Sequence, residues 1–207
     1  MNRKLYLVLS LSCFLIAGLT YGTGRRQADE ALALRLAPSI LRFHILANSD
    51  SKEDQELKLE VRSYLLHLIQ QDFPSPSGKA ELCAYLTERK DFLESQAETF
   101  MQAKGYGYTA QLDIVSDYFP QKAYGDMVFP CGTYDAVRVT IGNGKGHNWW
   151  CVLYPSLCFV DPVSAVVPDS SKEQLESALE HEDYLQLQKP EHKLRPKGRF
   201  KLAELFQ

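Results

Sequence analysis

The stretch LRFHILANSDSKEDQELKLEVR, Leu41 to Arg62, changes its periodicity halfway along, and this change decides the fold class. Apolar and polar residues alternate from Leu41 to Ala47, which is typical of a half-buried strand with Arg42 and His44 on its outer side. From Asp50 onward, apolar residues recur at helical spacing instead. The sequence therefore predicts a strand that leads directly into an amphipathic helix.

The polar residues between these two patterns predict where the helix begins. Asp50 is expected to cap it, because Glu53 then occupies the third helical position in a capping-box spacing. Asn48 and Asp50 are also candidates for a functional loop, although capping already accounts for Asp50. The stretch FPSPSG, Phe73 to Gly78, ends the helix, and a second helical region is expected from Lys79 to Lys104.

The following segment has the composition of β-structure. Strands are expected at Tyr108–Tyr118, Met127–Phe129 and Tyr134–Ile141, and the apolar stretch Trp149–Asp161 comes after them. A strand, two helices and then a run of strands predict an α+β fold with an antiparallel sheet that helices cover on one face.

The N-terminus indicates export. Residues 5–24 are uncharged and follow Arg3 and Lys4, as in a secretory signal, and the run is also just long enough for a membrane anchor. Without an A-x-A cleavage site, both interpretations remain open, and an uncleaved segment would contact the membrane. The predicted organisation is a signal peptide or anchor at 1–24, an extracytoplasmic domain at 25–169 and a charged helical tail at 170–207.

Charge argues against a nucleic-acid partner. The chain has a net charge of −3, with 23 Lys and Arg against 26 Asp and Glu, whereas nucleic-acid binding usually requires a basic face. Within the predicted tail, six Lys or Arg and one Glu lie between Lys189 and Lys201. The final FKLAELF, Phe200 to Phe206, has helical spacing and could dock back on the domain.

The cysteines suggest one disulfide, between Cys151 and Cys158. A two-residue turn at Tyr154 and Pro155 would place these two cysteines opposite each other, with Cα atoms about 4.5 Å apart. Alternatives are two free thiols, a wider loop around Pro155, or pairing of either cysteine with Cys131 or Cys83.

Sites for catalysis, metals or phosphate are poorly supported. His147 and Cys151 have the residue types of a thiol nucleophile and its base, but in a strand they lie roughly 13 Å apart. His44, His67 and His147 are isolated and do not have zinc-ligand spacing. The loop GNGKGHN, Gly142 to Asn148, has no phosphate-loop ending, so a turn is expected, and no cofactor is predicted.

A partner-binding role for the segment around the two tryptophans is better supported. Trp149 and Trp150 are adjacent, so in a strand they point to opposite faces, and either core packing or an interface accounts for them. His147 and Asn148 add a polar rim. The hypothesis is that His147, Asn148, Trp149 and Trp150 bind a partner.

Two long stretches and one short one carry a family resemblance: Leu41 to Arg62, Tyr118 to Asp161, and Phe200 to Phe206. With the apolar N-terminus, they resemble the stage II sporulation protein R family. The resemblance implies a protein exported from the forespore into the space between the forespore and mother-cell membranes. There it would activate a membrane-embedded aspartic protease of the mother cell, which removes the pro-sequence of a sigma factor. The resemblance implies no enzymatic activity. The alternative function is that of an exported cysteine hydrolase acting on peptide or cell wall.

Overall fold

The computed structural model describes residues 3–74, 77–158 and 167–188, and these fold into a mixed α and β structure. The helices and strands follow one another in this order: α1 (Arg3–Leu36), β1 (Leu41–Leu46), α2 (Lys52–Asp72), α3 (Lys79–Glu88), α4 (Lys90–Ala103), β2 (Ala110–Phe119), β3 (Lys122–Tyr124), β4 (Met127–Phe129), β5 (Gly132–Ile141), β6 (Asn148–Tyr154), α5 (Asp169–Ala178) and α6 (His181–Leu187).

Four strands form the main sheet, in the order β2-β5-β1-β6, and β3 pairs with β4 in a separate hairpin. β2 is antiparallel to β5 and β6 is antiparallel to β1, but β1 and β5 are parallel. The α+β class is confirmed, whereas the expectation of a wholly antiparallel sheet is wrong for this central pair. The connection from β1 to β5 passes through three helices and three strands, which is long enough to bring the chain back in the same direction.

Helices contact both faces of the sheet, not one as the sequence predicted. α2 and α4 cover the face that carries Phe43 and Trp149. On the opposite face, Ala33 of α1 packs so closely against Gly132 of β5 that a Cβ at position 132 would lie 2.3 Å from the Cβ of Ala33. Because Leu32 and Leu36 are buried beside it, the end of α1 belongs to the core.

β1 is buried on both faces, so the prediction of a half-buried strand is wrong. Arg42 is 0% exposed and His44 is 3% exposed, although the alternation placed both on the outer side of the strand. The Arg42 guanidinium lies over the ring of Phe119, 4.6 Å from its centroid, and also contacts Tyr134 and Phe129. Aromatic faces attract such a cation and replace part of its hydration.

Ser51 caps α2, and not Asp50 as predicted. The Ser51 Oγ accepts a hydrogen bond from the backbone N–H of Asp54 at 3.2 Å. The capping residue is therefore one position later than expected, and the Asp50 carboxylate is available for another contact.

The outer edge of β2 is closed by side chains of α4. The backbone N–H groups of Leu112 and Ala110 donate to Glu94 at 2.7 Å and to Glu98 at 3.0 Å. Edge strands normally leave such groups unpaired, so these carboxylates take the place of a neighbouring strand.

The C-terminal helices pack onto the domain. Leu175 of α5 and Leu187 of α6 are fully buried, and Asp183 of α6 forms an ion pair with Arg35 of α1 at 2.9 Å. The first part of the predicted tail thus forms two helices, α5 and α6, that are docked on the domain. The basic stretch and the FKLAELF segment lie outside the described residues.

The N-terminal segment lies within α1, which continues without a break past the predicted boundary at Gly24. Phe14, Leu15 and Leu19 on this helix are exposed. Among the residues that the structure describes, none of the helices combines the length and the apolar character needed to cross a membrane. The signal or anchor stays a prediction.

Candidate partner-binding site

Two loops that are far apart in the sequence interlock at one end of the sheet: residues 47–51, after β1, and residues 142–147, before β6. The Asn48 Oδ1 accepts hydrogen bonds from the backbone N–H of Asn143 at 3.0 Å and from its side chain at 3.2 Å. The backbone N–H of Gly146 donates to the carbonyl of Ala47 at 2.9 Å. Each loop therefore fixes the conformation of the other, and we call them the paired loops.

Asp54, in the first turn of α2, is buried, and the first of the paired loops folds around it. Its Oδ2 accepts from Ser49 Oγ at 2.6 Å and from Asn48 Nδ2 at 2.9 Å. Burial raises the pKa of Asp54, but hydrogen bonds from Ser49, Asn48 and Tyr108 outweigh this effect and hold it below its ordinary value. The ionised carboxylate thus organises the loop around the start of α2.

Asp50 connects the two loops at the surface. Its Oδ1 accepts the backbone N–H of His147 at 2.7 Å and also contacts Nδ1 of the His147 ring. These hydrogen bonds, first that of the side chain and then that of the backbone, lower the pKa of Asp50. The side chain of His147 is nevertheless 80% exposed, so it is held in place and still accessible.

Lys58 braces the same loop from beneath. It is 4% exposed, and its Nζ donates to the backbone carbonyl of His147 at 2.8 Å and to Gln55 at 2.6 Å. Burial lowers the pKa of Lys58, partly offset by the nearby carboxylate of Asp50. His147 is therefore fixed through both its N–H and its carbonyl.

The glycines of GNGKGHN allow this close approach. A Cβ at Gly146 would lie 2.2 Å from the carbonyl oxygen of Ser49, so the loops could not approach this closely with any larger residue there. Gly142 has a φ of +54°, which favours glycine, and its position faces Asn48. The segment is a turn, as the sequence predicted.

Trp149 lies on the face covered by α2. Its ring packs edge-on against Phe43, with centroids 6.4 Å apart, and the Cζ of Arg62 lies 4.3 Å from its ring centroid. Trp149 is half-buried. Solvent therefore reaches the outer side of this contact between β6 and α2.

Trp150 lies on the opposite face and stacks on His44, with centroids 4.9 Å apart and the rings nearly parallel. The His44 Nε2 is 3.0 Å from Asp117 Oδ2, and Phe119 packs edge-on against both rings. Burial lowers the pKa of His44, while Asp117 acts in the opposite direction. This cluster could not be predicted from the sequence, because its members are far apart in the chain and His44 was expected to be an isolated surface or packed histidine.

The four predicted partner-binding residues thus do not share one surface. His147 and Trp149 are on the side of α2, whereas Trp150 and Asn148 point to the side of His44. The partner-binding hypothesis stays a prediction, and the structure separates it into two parts that can be tested individually.

Cys151 and Cys158 form a disulfide in the structure, with Cα atoms 5.1 Å apart. The chain does not form the tight hairpin that motivated this pairing. β6 ends at Tyr154, and a wider turn brings the N–H of Leu157 to the carbonyl of Val152 at 3.0 Å. In this state Cys151 has no thiol for nucleophilic attack.

The chemistry available at the paired loops is recognition through hydrogen bonds. His147 contacts a carboxylate, but no free thiol stands next to it. Within residues 3–74, 77–158 and 167–188, no group of three or more His, Cys, Asp or Glu side chains could hold a metal ion.

Comparisons with known proteins place these residues in a family context. Residues 37–164, which include both paired loops and β6, match the family model of stage II sporulation protein R. The chain is 32% identical over 182 residues to "Stage II sporulation protein R" of Bacillus subtilis (strain 168), in an alignment that covers 85% of this chain and 80% of that protein. No solved structure matches.

Proposed function

The chain belongs to the stage II sporulation protein R family, and from this premise we propose that it is an exported signalling protein that activates a membrane-embedded aspartic protease during sporulation. The protease, on the mother-cell side, would then remove the pro-sequence of a sigma factor. The site of action would be the space between the forespore and mother-cell membranes, which the protein would reach by means of residues 1–24.

The observation that carries this proposal is the state of His147. Its side chain is exposed, while Asp50 and Lys58 hold its backbone on either side. A surface group that is already fixed loses little conformational freedom when it binds, and this favours recognition of a protein partner. The paired loops supply hydrogen-bond donors and acceptors for contacts with a partner. The nearby Cys151 is in a disulfide, so it has no thiol for nucleophilic attack.

Activation requires that the protein bind the active state of the protease more tightly than the inactive state, since equal affinity would shift no equilibrium. A rigid loop is suited to this, because it fits one arrangement of the receptor better than another. A difference of about 1.4 kcal/mol in binding changes the ratio of the two states tenfold.

The test is a reconstitution of the purified protein with the candidate protease in lipid vesicles and its pro-sigma substrate. Processing that depends on added protein supports the proposal. Equal processing with and without the protein, by a protease shown to be competent, would overturn it.

A further inference from the structure

Arg62 is a half-buried arginine stacked on an aromatic ring, and it has no carboxylate partner in the described part of the chain. Its Cζ lies 4.3 Å from the ring centroid of Trp149, and its Nη2 donates to Ser63 Oγ at 3.0 Å. Burial lowers the pKa of Arg62, and no described acid offsets this. The remaining N–H donors lie in the plane of the guanidinium.

Two of the other arginines that lie over aromatic rings at the surface, Arg89 and Arg26, differ in this respect. Arg89 lies 4.2 Å from the ring centroid of Phe92 and forms an ion pair with Asp72 at 2.8 Å. Arg26 stacks on Tyr118 and pairs with Glu30 at 2.8 Å. Arg89 and Arg26 therefore each contact an aromatic ring and also form an ion pair with a carboxylate of the same chain. Arg62 contacts a ring without such an ion pair among the described residues.

A second cation stands beside Arg62. Lys58 precedes it by one helical turn, and repulsion from Arg62 contributes to the lowered pKa of Lys58, after burial. The Nζ of Lys58 donates to His147 and Gln55. Like charges at this spacing destabilise a helix. In a chain with a net charge of −3, this is a local concentration of positive charge next to the paired loops.

An open groove with an apolar wall adjoins Arg62. Leu59, at 40% exposure, lines it together with Phe100 and Tyr64, whose rings stack with centroids 4.6 Å apart. The lysine in this groove, Lys104, forms an ion pair with Glu60 at 3.0 Å, so it is neutralised within the chain. Of the Arg and Lys residues in the described part of the chain that line this groove, Arg62 is thus the one that a partner could pair with.

We propose that Arg62, oriented by Trp149, binds a carboxylate on an acidic segment of the partner, and that an apolar residue next to this carboxylate packs against Leu59 and Phe100. The guanidinium lies over the Trp149 ring, and its planar pair of donors matches both oxygens of a carboxylate. This inference rests on the proposed function for the identity of the partner, and it adds the chemistry by which that partner is recognised.

The first arm of the test uses the reconstituted processing assay. Arg62→Ala should raise the protein concentration for half-maximal processing at least about 30-fold, because it leaves the partner's carboxylate unpaired. Arg62→Lys should recover part of this loss, since it keeps the charge but not the planar donors. Arg89→Ala is the matched control and should stay within about twofold of wild type. Equal half-maximal concentrations for folded Arg62→Ala and wild type would overturn the inference.

The second arm does not depend on the protease. Acetylated leucyl-glutamate amide is titrated into the whole protein while the NMR signal of the Trp149 indole is followed, with acetylated leucyl-glutamine amide as the neutral probe. The glutamate probe should shift this signal and the glutamine probe should not, and Arg62→Ala should abolish the difference. Identical shifts with both probes would disprove carboxylate recognition at Arg62. If the probes are distinguished but wild-type protein activates no processing, the proposed function fails and the carboxylate site stands.

Discussion

The carboxylate of Asp50 accepts the backbone N–H of His147 at 2.7 Å, and through this bond the loop before α2 fixes the loop before β6. Residues 97 positions apart in the chain thereby become one surface. In this surface Asp50 holds the loop in place, whereas the exposed ring of His147 is the group that a partner can contact.

Replacing Asp50 with Asn should make the paired loops less stable and reduce activation. Asn keeps one acceptor for the His147 N–H but removes the charge that the His147 ring contacts. Because the pKa of Asp50 is lowered in the folded protein, its contribution to stability is present above the ordinary value of 3.8 and is lost as the pH falls below it. Thermal unfolding of wild type and Asp50→Asn across this range should converge at low pH. Parallel curves would contradict the assigned role of Asp50.

The double variant His147→Ala and Asn148→Ala should remain folded but activate the protease less well. Since the two side chains belong to different sides of the sheet, the single variants should differ. His147→Ala should account for most of the loss in processing, because its ring is exposed and Asn148 is directed toward His44. Circular dichroism serves as the control for folding. Full activation by the folded double variant would remove both residues from the interface.

His44 should make the protein less stable in mild acid. Its pKa is lowered by burial, so the unfolded chain takes up the proton more readily, and stability is lost as the pH falls from about 6.5 toward the folded-state value. The midpoint of thermal unfolding of wild type should therefore fall between pH 7.5 and pH 5. His44→Gln should reduce this slope, whereas His67→Gln, at an exposed position, should leave it unchanged. An unaltered slope in His44→Gln would show that other groups cause it.

The disulfide between Cys151 and Cys158 should be found in the exported protein. Non-reducing peptide mapping would detect it, and free thiols at both positions or a link to Cys131 or Cys83 would contradict it. Closing this short loop should stabilise the fold by about 2.5 kcal/mol in the chain-entropy model. Cys151→Ser with Cys158→Ser should lower the free energy of unfolding by about this amount, whereas Cys83→Ser, at a free cysteine, is the matched control.

Export should place the whole body of the protein outside the cytoplasm. A reporter that is active only in the cytoplasm, fused after Gln207, should be silent. The same fusion without residues 1–24 should be active, which controls for expression and folding of the reporter. Strong activity of the full-length fusion would contradict export, and mass spectrometry of the mature N-terminus would distinguish cleavage from anchoring.

The local elements could be predicted from the sequence, because periodicity depends on residues close together in the chain. The strand and helix of Leu41 to Arg62 and the turn at GNGKGHN are of this kind. The predicted cap of α2 was one residue too early, because both Asp50 and Ser51 have side chains suited to capping. Asp50 instead contacts His147, which is far away in the sequence.

The arrangement of the sheet could not be predicted, since it depends on contacts between distant segments. Alternation in β1 correctly separated Arg42 and His44 from the apolar side, but it could not show that α1 and the β3–β4 hairpin cover the second side. Likewise, the positions of Trp149 and Trp150 on opposite faces followed from their adjacency, whereas the Arg62 and His44 that stack on them come from other elements.

The carboxylates of Glu94 and Glu98 on the edge of β2 also bear on how the protein behaves when it is crowded. A second copy that added its own strand at β2 would have to displace both side chains and bury two charges without donors. That edge is therefore a poor template for fibre growth. If the protein acts in the narrow space proposed above, this edge would allow a high local concentration without strand-to-strand association.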